Sequence, residues 1–302
     1  MSKSARRVGV SVVVPFRRSG DHLANQLEAL AAQDFDGAWE VVAVDNGSTD
    51  GSRAIAERFR GRLNLRVVDA PDRAGAGYAR NVGAAAATGS KLLFVDADDE
   101  VAPGYVAAMA AGLDAQEFVT SAFDHRALNP PWLQSAYGPV WRDPDDPLPV
   151  QWNVLPFAGG SIGITREAFE RAGGFPEDLP RMQDIAFSWE AQRAGATLGY
   201  VPDALYHVRY RDSLSGLFRQ GLAGGSTAPL LYRRYRDLGM TRRTVPAALR
   251  GWFRLARRAV AVRSRADAAP LALELGRQLG RLRGSIRHRV FFPSAGARLS
   301  RQ

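Results

Sequence analysis

The chain of 302 residues contains no cysteine and only four histidines. The absence of cysteine excludes disulfides, thiolate metal ligands and thiol redox chemistry. No uninterrupted apolar run approaches the ~18 residues that a membrane-spanning helix requires. The first residues lead into a β-branched run and show no signal-peptide pattern. We therefore expect a cytoplasmic protein, and the inner face of the cell membrane stays open as a place of peripheral attachment.

The positive charge is concentrated at the carboxyl-terminal end. The formal net charge is +9, but residues 241–302 carry 15 arginines and two acids, whereas residues 1–240 have a net charge of −4. The body of the protein therefore needs no polyanionic partner. Aromatic residues are few in the basic region and no nucleic-acid-binding motif is present, so we expect no nucleic-acid partner.

Strand-like and helix-like segments alternate over the first hundred residues. Short apolar or β-branched runs predict strands at 8–15, 39–44, 63–68 and 91–95. Helical spacing of apolar residues predicts helices at 21–33, 51–60 and 79–87, and a further helix at 101–113. Such alternation is typical of an α/β protein with a mainly parallel sheet flanked by helices. A stretch rich in Pro and Asp at 125–149 predicts a loop, either a functional lid or a surface insertion.

Polar residues follow each predicted strand, where ligands bind to parallel sheets. The most informative of these clusters is Asp96-Ala97-Asp98-Asp99. In extended backbone Asp96 and Asp98 point to the same side. Carboxylate oxygens suit Mg²⁺ or Mn²⁺. From this run alone, a metal site and a solvated acidic turn are both open.

Four motifs, in order, resemble those of the family 2 glycosyltransferases of GT-A fold. They are Ser11–Pro15, Val44–Asp50, Gly77–Gly83 and Phe94–Asp99, and the resemblance covers about residues 8–210. It implies a Rossmann-like, mainly parallel sheet, a nucleotide-sugar donor that is usually a UDP-sugar, a divalent metal (Mn²⁺ or Mg²⁺) and inversion by direct displacement. We expect a GT-A domain at 1–215, with its nucleotide-binding half ending near residue 100 and its acceptor half following. Residues 216–302 would form a helical, Arg-rich extension.

The resemblance also implies a donor site. Asp98 would coordinate the metal most directly, Asp96 would hold the ribose or a metal-bound water, and His207 would be a third ligand. The residues expected to bind the nucleotide-sugar are Pro15, Phe16, Arg17, Asp45, Arg80, Asn81, Asp96, Ala97 and Asp98. Structural roles stay open for several: a turn cap for Asp45, a salt bridge at a helix start for Arg80 and Asn81, and a buried structural histidine for His207.

On the acceptor side, Asp184 matches the family's general base, which takes the proton from the attacking hydroxyl. Gln183 replaces the acid that usually precedes it. We expect Gly160, Ser161, Gln183 and Trp189 to lie on the acceptor side. The alternative for Asp184 is a cap at the start of a helix.

The absence of membrane spans favours one transfer to a glycan, glycolipid or cell-wall-type acceptor over processive polymer synthesis. One alternative is a degenerate transferase that serves as a nucleotide-sugar-binding scaffold. Another is a nucleotidyltransferase, but the Gly-rich loop with Lys that it needs is missing after the first strand. A dinucleotide dehydrogenase is disfavoured because no GxGxxG follows that strand.

Two amphipathic patterns occupy the basic extension. Apolar faces are formed by Leu249, Trp252, Phe253, Ala256 and Val260, and by Leu275, Leu279, Leu282 and Ile286, each flanked by arginines. Such helices dock on the body or on a second subunit, or they adsorb to anionic lipid. The sequence leaves these alternatives open.

Overall fold

A computed structural model describes residues 8–134, 148, 150, 154–242 and 244–293. One eight-stranded sheet organises this part of the chain, with strand order β3-β2-β1-β4-β7-β6-β8-β5. The strands are β1 (Val10–Phe16), β2 (Trp39–Asp45), β3 (Leu65–Asp69), β4 (Lys91–Val95), β5 (Glu100–Val101), β6 (Phe118–Asp124), β7 (Ser161–Thr165) and β8 (Leu198–His207).

Ten α-helices accompany the sheet in the described residues. They are α1 (Gly20–Ala31), α2 (Ser52–Arg58), α3 (Ala76–Ala86), α4 (Tyr105–Ala115), α5 (Pro131–Gln134), α6 (Arg166–Arg171), α7 (Gln183–Arg193), α8 (Leu214–Tyr235), α9 (Val245–Val260) and α10 (Arg265–His288). None of the helices described is long and apolar enough to cross a membrane.

The sheet is parallel over its first half. Strands β3, β2, β1 and β4 run parallel, and β7 then lies antiparallel between β4 and β6. Strand β8 is parallel to β6, and the short β5 is antiparallel to β8. This arrangement confirms the predicted α/β class with a mostly parallel sheet flanked by helices.

Both faces of the sheet are buried, which explains why its central strands are apolar throughout. Successive side chains of β1 alternate between the two faces: Val12 and Val14 pack in one hydrophobic core, and Val13 packs in the other. Helices α1, α2 and α4 cover the first face, whereas α3, α6 and α7 cover the second. Because β3, β2, β1 and β4 run parallel, their carboxyl ends lie at one edge of the sheet. The polar clusters that follow these strands lie at this edge.

The prediction of a helix at 101–113 was wrong about where the helix begins. Glu100 and Val101 form β5, and α4 begins only at Tyr105. Pro103 disfavours helical backbone at Ala102, and Gly104 adopts a left-handed conformation with φ +78°. In the Pro-rich stretch at 125–149, the short helix α5 forms near the beginning. Residues 135–147 and 149 lie outside the described part of the chain.

The extension is built onto the body. The predicted boundary at 215/216 falls inside the first turn of α8. Leu231 and Tyr235 of α8 share a hydrophobic core with Ile185 and Trp189 of α7. The packing of α7 against α8 therefore joins the two parts that the sequence separates.

Helix α10 lies against α8 through glycines on both helices. A Cβ at Gly221 would lie 2.2 Å from the carbonyl oxygen of Leu273, and a Cβ at Gly280 would lie 2.3 Å from that of Leu222. Backbones can approach this closely only where side chains are absent. The glycines therefore fix how closely α10 approaches α8, and Leu273 of α10 packs with Leu217 of α8 in a small hydrophobic cluster.

Candidate active site

Three carboxylates meet just beyond β4. Oxygen atoms of Asp96, Asp98 and Asp99 all lie within 4.8 Å of one another. The sequence predicted that Asp96 and Asp98 face one way from extended backbone, but the chain turns immediately after β4. The turn also brings in Asp99, which extended backbone would direct away. Asp99 is buried, whereas Asp96 and Asp98 are partly exposed.

The crowding of these acids has an electrostatic consequence. Burial and the negative charge of Asp96 raise the pKa of Asp98, and the nearby guanidinium of Arg211 opposes the shift. Burial together with the charges of Asp98 and Asp96 raises the pKa of Asp99 well above its ordinary value. A divalent cation would relieve this repulsion, and an all-oxygen donor set fits Mg²⁺ or Mn²⁺. The residues present therefore fit the metal that the sequence implies.

Strand β8 and the segment after it hold the acidic turn in place. The backbone N–H of Asp96 donates to the Tyr206 hydroxyl at 2.8 Å, and the charge of the Asp99 carboxylate acts on the same phenol. The backbone N–H of Arg209 donates to Oδ1 of Asp99 at 2.7 Å. Burial raises the pKa of Tyr206 far above its ordinary value, so the phenol stays protonated. The sequence reasoning missed Tyr206, which stands beside the histidine that it selected.

Arg80 of α3 lies between the acidic turn and the segment that carries Asp184. Its side chain is 6% exposed, and Nη2 lies 2.5 Å from Oδ1 of Asp96. Its guanidinium also stands over the ring of Phe175, 5.2 Å from the centroid. The positive charge of Arg80 lowers the pKa of Asp184. The salt bridge at a helix start, one of the predicted alternatives, is therefore present.

Asp184 is the second residue of α7 and is partly exposed. Met182, just before the helix, has a left-handed backbone with φ +62°, which is uncommon for a residue other than glycine. The strained turn starts α7 so that Asp184 lies in its first turn. Burial raises the pKa of Asp184, and the charge of Arg80 only partly offsets this effect. A carboxyl group with a raised pKa is a stronger base in its ionised form.

Gly160 brings the acceptor segment onto the acidic turn. A Cβ at this position would lie 3.0 Å from Oδ2 of Asp96 and 3.6 Å from Oδ2 of Asp99. Only a residue without a side chain leaves the space beside these carboxylates open. Gly160 therefore lies directly beside the carboxylates of Asp96 and Asp99.

The other three residues predicted to lie on the acceptor side are buried. Ser161 Oγ lies 2.6 Å from Tyr105 Oη and is fully buried. Trp189 is also fully buried, and its Nε1 donates to the carbonyl oxygen of Leu155 at 3.0 Å. Gln183 is 7% exposed and donates from Nε2 to a backbone carbonyl one turn earlier. Interior packing explains all three, because their polar atoms are hydrogen-bonded within the protein.

The residues predicted to contact the nucleotide-sugar differ in how far their side chains are exposed. Phe16 is part of the hydrophobic core and Ala97 is 4% exposed, so neither presents a side chain at the surface. Arg17 is exposed and Pro15 is partly exposed. Asp45 accepts a hydrogen bond at Oδ1 from the backbone N–H of Ser48 at 2.8 Å, which is the predicted turn cap.

Residues 11–173 of the chain match the sequence profile described as Glycosyl transferase family 2. The chain belongs to this family. The resemblance that the four motifs carried is therefore confirmed.

Individual relatives agree with this assignment. The chain is 40% identical over 201 residues to the poly(ribitol-phosphate) β-N-acetylglucosaminyltransferase TarS of Staphylococcus aureus strain MW2; the match covers 65% of this chain. It spans only 35% of that relative's length.

Two solved structures show the same fold. S. aureus TarS 1–349 in complex with UDP-GlcNAc is 20% identical, with a TM-score of 0.58, covering 94% of this chain and 93% of that one. The mannosyltransferase PcManGT from Pyrobaculum calidifontis in complex with GDP-Man and Mn²⁺ is also 20% identical, with a TM-score of 0.65, covering 94% of this chain and 87% of that one. These likenesses show a GT-A fold.

Within this family member, Asn81 joins two elements of the fold. Its Nδ2 donates to the carbonyl oxygen of Phe175 and to Oε1 of Glu177, both at 2.9 Å. Its Oδ1 accepts from the backbone N–H of Phe175 at 2.8 Å. The amide therefore anchors α3 to the segment before α7, and its contact with the nucleotide stays a prediction.

Asn46 also has a structural role that was not predicted from the sequence. Its Nδ2 donates to the carbonyl oxygens of Ala70 at 2.6 Å and Arg73 at 2.8 Å, and its Oδ1 accepts from Gly75. One side chain thus shapes the whole loop between β3 and α3. The sequence feature that could have indicated this role is the position of Asn46 directly after Asp45, the last residue of β2.

His207 lies at the end of β8. It is not part of the cluster formed by Asp96, Asp98 and Asp99. In the pairing of β5 with β8, His207 lies opposite Glu100, which follows Asp98 by two residues in the chain. Its Nδ1 lies 3.1 Å from Oδ2 of Asp124. The structure therefore places His207 beside the acidic turn and pairs it with a carboxylate of its own.

Proposed function

We propose that this enzyme transfers a sugar, with inversion, from a UDP-sugar to a hydroxyl of a glycan, glycolipid or cell-wall-type acceptor. The observation that carries the proposal is the cluster of Asp96, Asp98 and Asp99 at the edge of the sheet where Asp184 also lies, with Arg80 between them. TarS acts on poly(ribitol-phosphate) and has a UDP-GlcNAc complex, which supports a UDP-sugar and a cell-wall-type acceptor.

The residues that would hold Mn²⁺ or Mg²⁺ are Asp96, Asp98 and Asp99, with Asp98 as the main ligand. A bound divalent cation supplies positive charge to the leaving diphosphate. His207 is proposed as a further ligand, because histidines that bind metals commonly have their other ring nitrogen bonded to a carboxylate. The pair of His207 Nδ1 and Asp124 has that form.

Arginine side chains supply further positive charge at the donor site. Arg211 lies 3.2 Å from Asp98, and its side chain is 50% exposed. A forked guanidinium suits a diphosphate, so we assign Arg211 to the donor's phosphates. Asp45 and Arg17 remain the proposed contacts for the nucleoside at the neighbouring strand ends. Arg80 orients Asp96 and keeps the ionised form of Asp184 accessible.

Asp184 is proposed to take the proton from the acceptor hydroxyl as its oxygen attacks the anomeric carbon. Burial raises the pKa of this carboxyl group, which makes its ionised form a stronger base. Gly160 leaves open space beside Asp96, where a sugar ring can lie against the acidic turn. The base and the leaving group then act on opposite sides of the anomeric carbon, which gives inversion.

The test is nucleotide release from a panel of UDP-, GDP- and dTDP-sugars with Mn²⁺ or Mg²⁺. We expect release from a UDP-sugar, and strong loss in Asp98→Asn. Asp114→Asn is the matched control, since Asp114 is an exposed aspartate on α4 that pairs with Lys91. Preference for a GDP- or dTDP-sugar would refute the donor assignment. Failure of every nucleotide to stabilise the protein thermally would favour the scaffold alternative.

A further inference from the structure

Helix α9 leaves its apolar face uncovered. Leu249, Phe253 and Val260 are 63%, 65% and 78% exposed, although they share one face of the helix. The helix docks instead through Ala248 and Leu255, which are buried. Of the apolar stripe that the sequence identified, Leu249, Phe253 and Val260 are therefore left uncovered by the described part of the body, whereas Trp252 is half-buried.

Helix α10 has a second uncovered stripe. Leu279, Leu282 and Ile286 are 37%, 45% and 81% exposed. They recur at helical spacing, while the glycines of α10 make the contact with α8. Two helices in contact with each other thus each expose a row of large apolar side chains. Exposed apolar side chains grouped in this way mark an interaction surface.

The charges beside the stripes are positive. Helix α9 carries Arg250, Arg254, Arg257 and Arg258 and no acidic residue, and none of the four forms an ion pair within the described residues. On α10 the two acids are already engaged. Glu274 pairs with Arg277 and Arg281, and Asp267 caps the start of the helix. The surface therefore presents apolar side chains bordered by uncompensated arginines.

We propose that the surface formed by α9 and α10 adsorbs to a lipid bilayer rich in anionic headgroups. The apolar stripes would enter the interface between headgroups and acyl chains, while the arginines contact the anionic headgroups. A second copy of the chain fits less well, because a two-fold contact through this surface would bring arginines against arginines. The proposal concerns binding alone and holds whichever sugar the enzyme transfers.

The surface is connected to the proposed active site. Arg265, the first residue of α10, stands over the ring of Trp132 at 3.8 Å from the centroid. It also donates from Nη2 to the carbonyl oxygen of Asp212 at 2.9 Å. Asp212 directly follows Arg211, which pairs with Asp98. The start of α10 therefore lies beside the proposed donor site, about 20–30 Å along the helix from the stripe of Leu279, Leu282 and Ile286.

The test is co-flotation of the full chain with vesicles of phosphatidylglycerol and phosphatidylcholine, compared with vesicles of phosphatidylcholine alone. We expect binding to the anionic vesicles at low salt, weaker binding at high salt, and little binding to the neutral ones. The double variant Leu249→Gln/Phe253→Gln should lose binding. Val150→Gln is its control, since Val150 is 52% exposed and lies outside α9 and α10.

The charge contribution is tested separately with matched variants. Arg250→Gln/Arg254→Gln should lower partitioning by about 30-fold, since each basic residue near an anionic surface contributes several-fold to binding. Arg58→Gln/Arg60→Gln removes the same charge from α2 and its following turn and should bind normally. Absence of binding at low salt would overturn the proposal, as would normal binding by the α9 variants. A concentration-dependent dimer dissolved by Leu249→Gln/Phe253→Gln, without vesicle binding, would show that the occupant is a second copy.

Discussion

Nη2 of Arg80 lies 2.5 Å from Oδ1 of Asp96, and the same guanidinium opposes the rise that burial causes in the pKa of Asp184. One buried arginine therefore links the acidic turn after β4 to the carboxyl group at the start of α7. The two proposed halves of the site, donor and acceptor, share this charge. Changes at Arg80 should affect both.

Replacing Arg80 should change the pH dependence of transfer. In Arg80→Gln the charge that lowers the pKa of Asp184 is lost, so this pKa rises further. Because the base must be ionised, we expect the acid limb of the kcat/KM profile to move to higher pH. Arg80→Lys, which keeps the charge, should leave the limb near its original position while weakening donor binding. An unchanged acid limb in Arg80→Gln would contradict the link.

Loss of the proposed base should separate chemistry from binding. Asp184→Asn should reduce transfer by about 10²- to 10⁴-fold, the usual contribution of a general base. Binding of UDP, measured by calorimetry, should be unchanged because Asp184 is assigned to the acceptor side. Transfer at the normal rate would disprove the assignment, and Asp114→Asn serves as the control.

The same variant should be more stable than the parent at neutral pH. The pKa of Asp184 is raised above its ordinary value of 3.8, so the folded state holds this proton more tightly than the unfolded state does. Its stabilising effect is complete below pH 3.8 and is lost as pH rises through the folded-state pKa. Asp184→Asn removes the cost of ionisation, so its gain in thermal stability should be present at pH 7 and smaller at pH 4. A gain that does not depend on pH would contradict this account.

Metal binding should depend on the acidic turn. Mn²⁺ at about 100 times its dissociation constant should stabilise the parent by about 2.7 kcal/mol, which thermal unfolding detects. Asp98→Asn and Asp99→Asn should abolish this stabilisation. His207→Ala and Asp124→Asn should each weaken metal affinity by about 10- to 100-fold if the histidine is a ligand held by its carboxylate. Full affinity in both of these variants would remove His207 from the site.

The contact between α8 and α10 should be sensitive to a single methyl group. A Cβ at Gly280 would lie 2.3 Å from the carbonyl oxygen of Leu222, so Gly280→Ala should destabilise the protein by about 1–3 kcal/mol. Gly251 of α9 is the matched control, because its Cβ would meet only Nε2 of Gln278 at 3.4 Å. Gly251→Ala should be neutral or stabilising by up to about 1 kcal/mol. Equal unfolding temperatures for the two variants would refute the close packing.

Local patterns were sufficient to predict the first half of the sheet. Alternation of short apolar runs with helical spacing depends on neighbouring residues, so β1, β2 and β4 were found within about two residues of their ends. The start of α4 was missed because Pro103 and Gly104 govern that turn. The family motifs located Asp96, Asp98 and Asp184, which the structure places on either side of Arg80.

Long-range contacts account for what the sequence did not reveal. Tyr206 reaches the backbone of Asp96 from 110 positions away along the chain, and no local pattern marks it. Ser161 and Trp189 belong to a recognisable segment, but their burial depends on packing against distant residues. The amphipathic leucines of α10 predicted a docking face, whereas backbone contact through glycines determines how this helix packs.

Calorimetric titration of UDP, with Mn²⁺ and with EDTA, tests the central claim most directly. The account predicts tight binding with Mn²⁺ and much weaker binding with EDTA. Asp98→Asn should bind weakly in both conditions, and Asp114→Asn should behave like the parent. UDP binding of equal strength with Mn²⁺ and with EDTA, unaffected by Asp98→Asn, would contradict the claim that Asp96, Asp98 and Asp99 hold a metal for the donor's diphosphate.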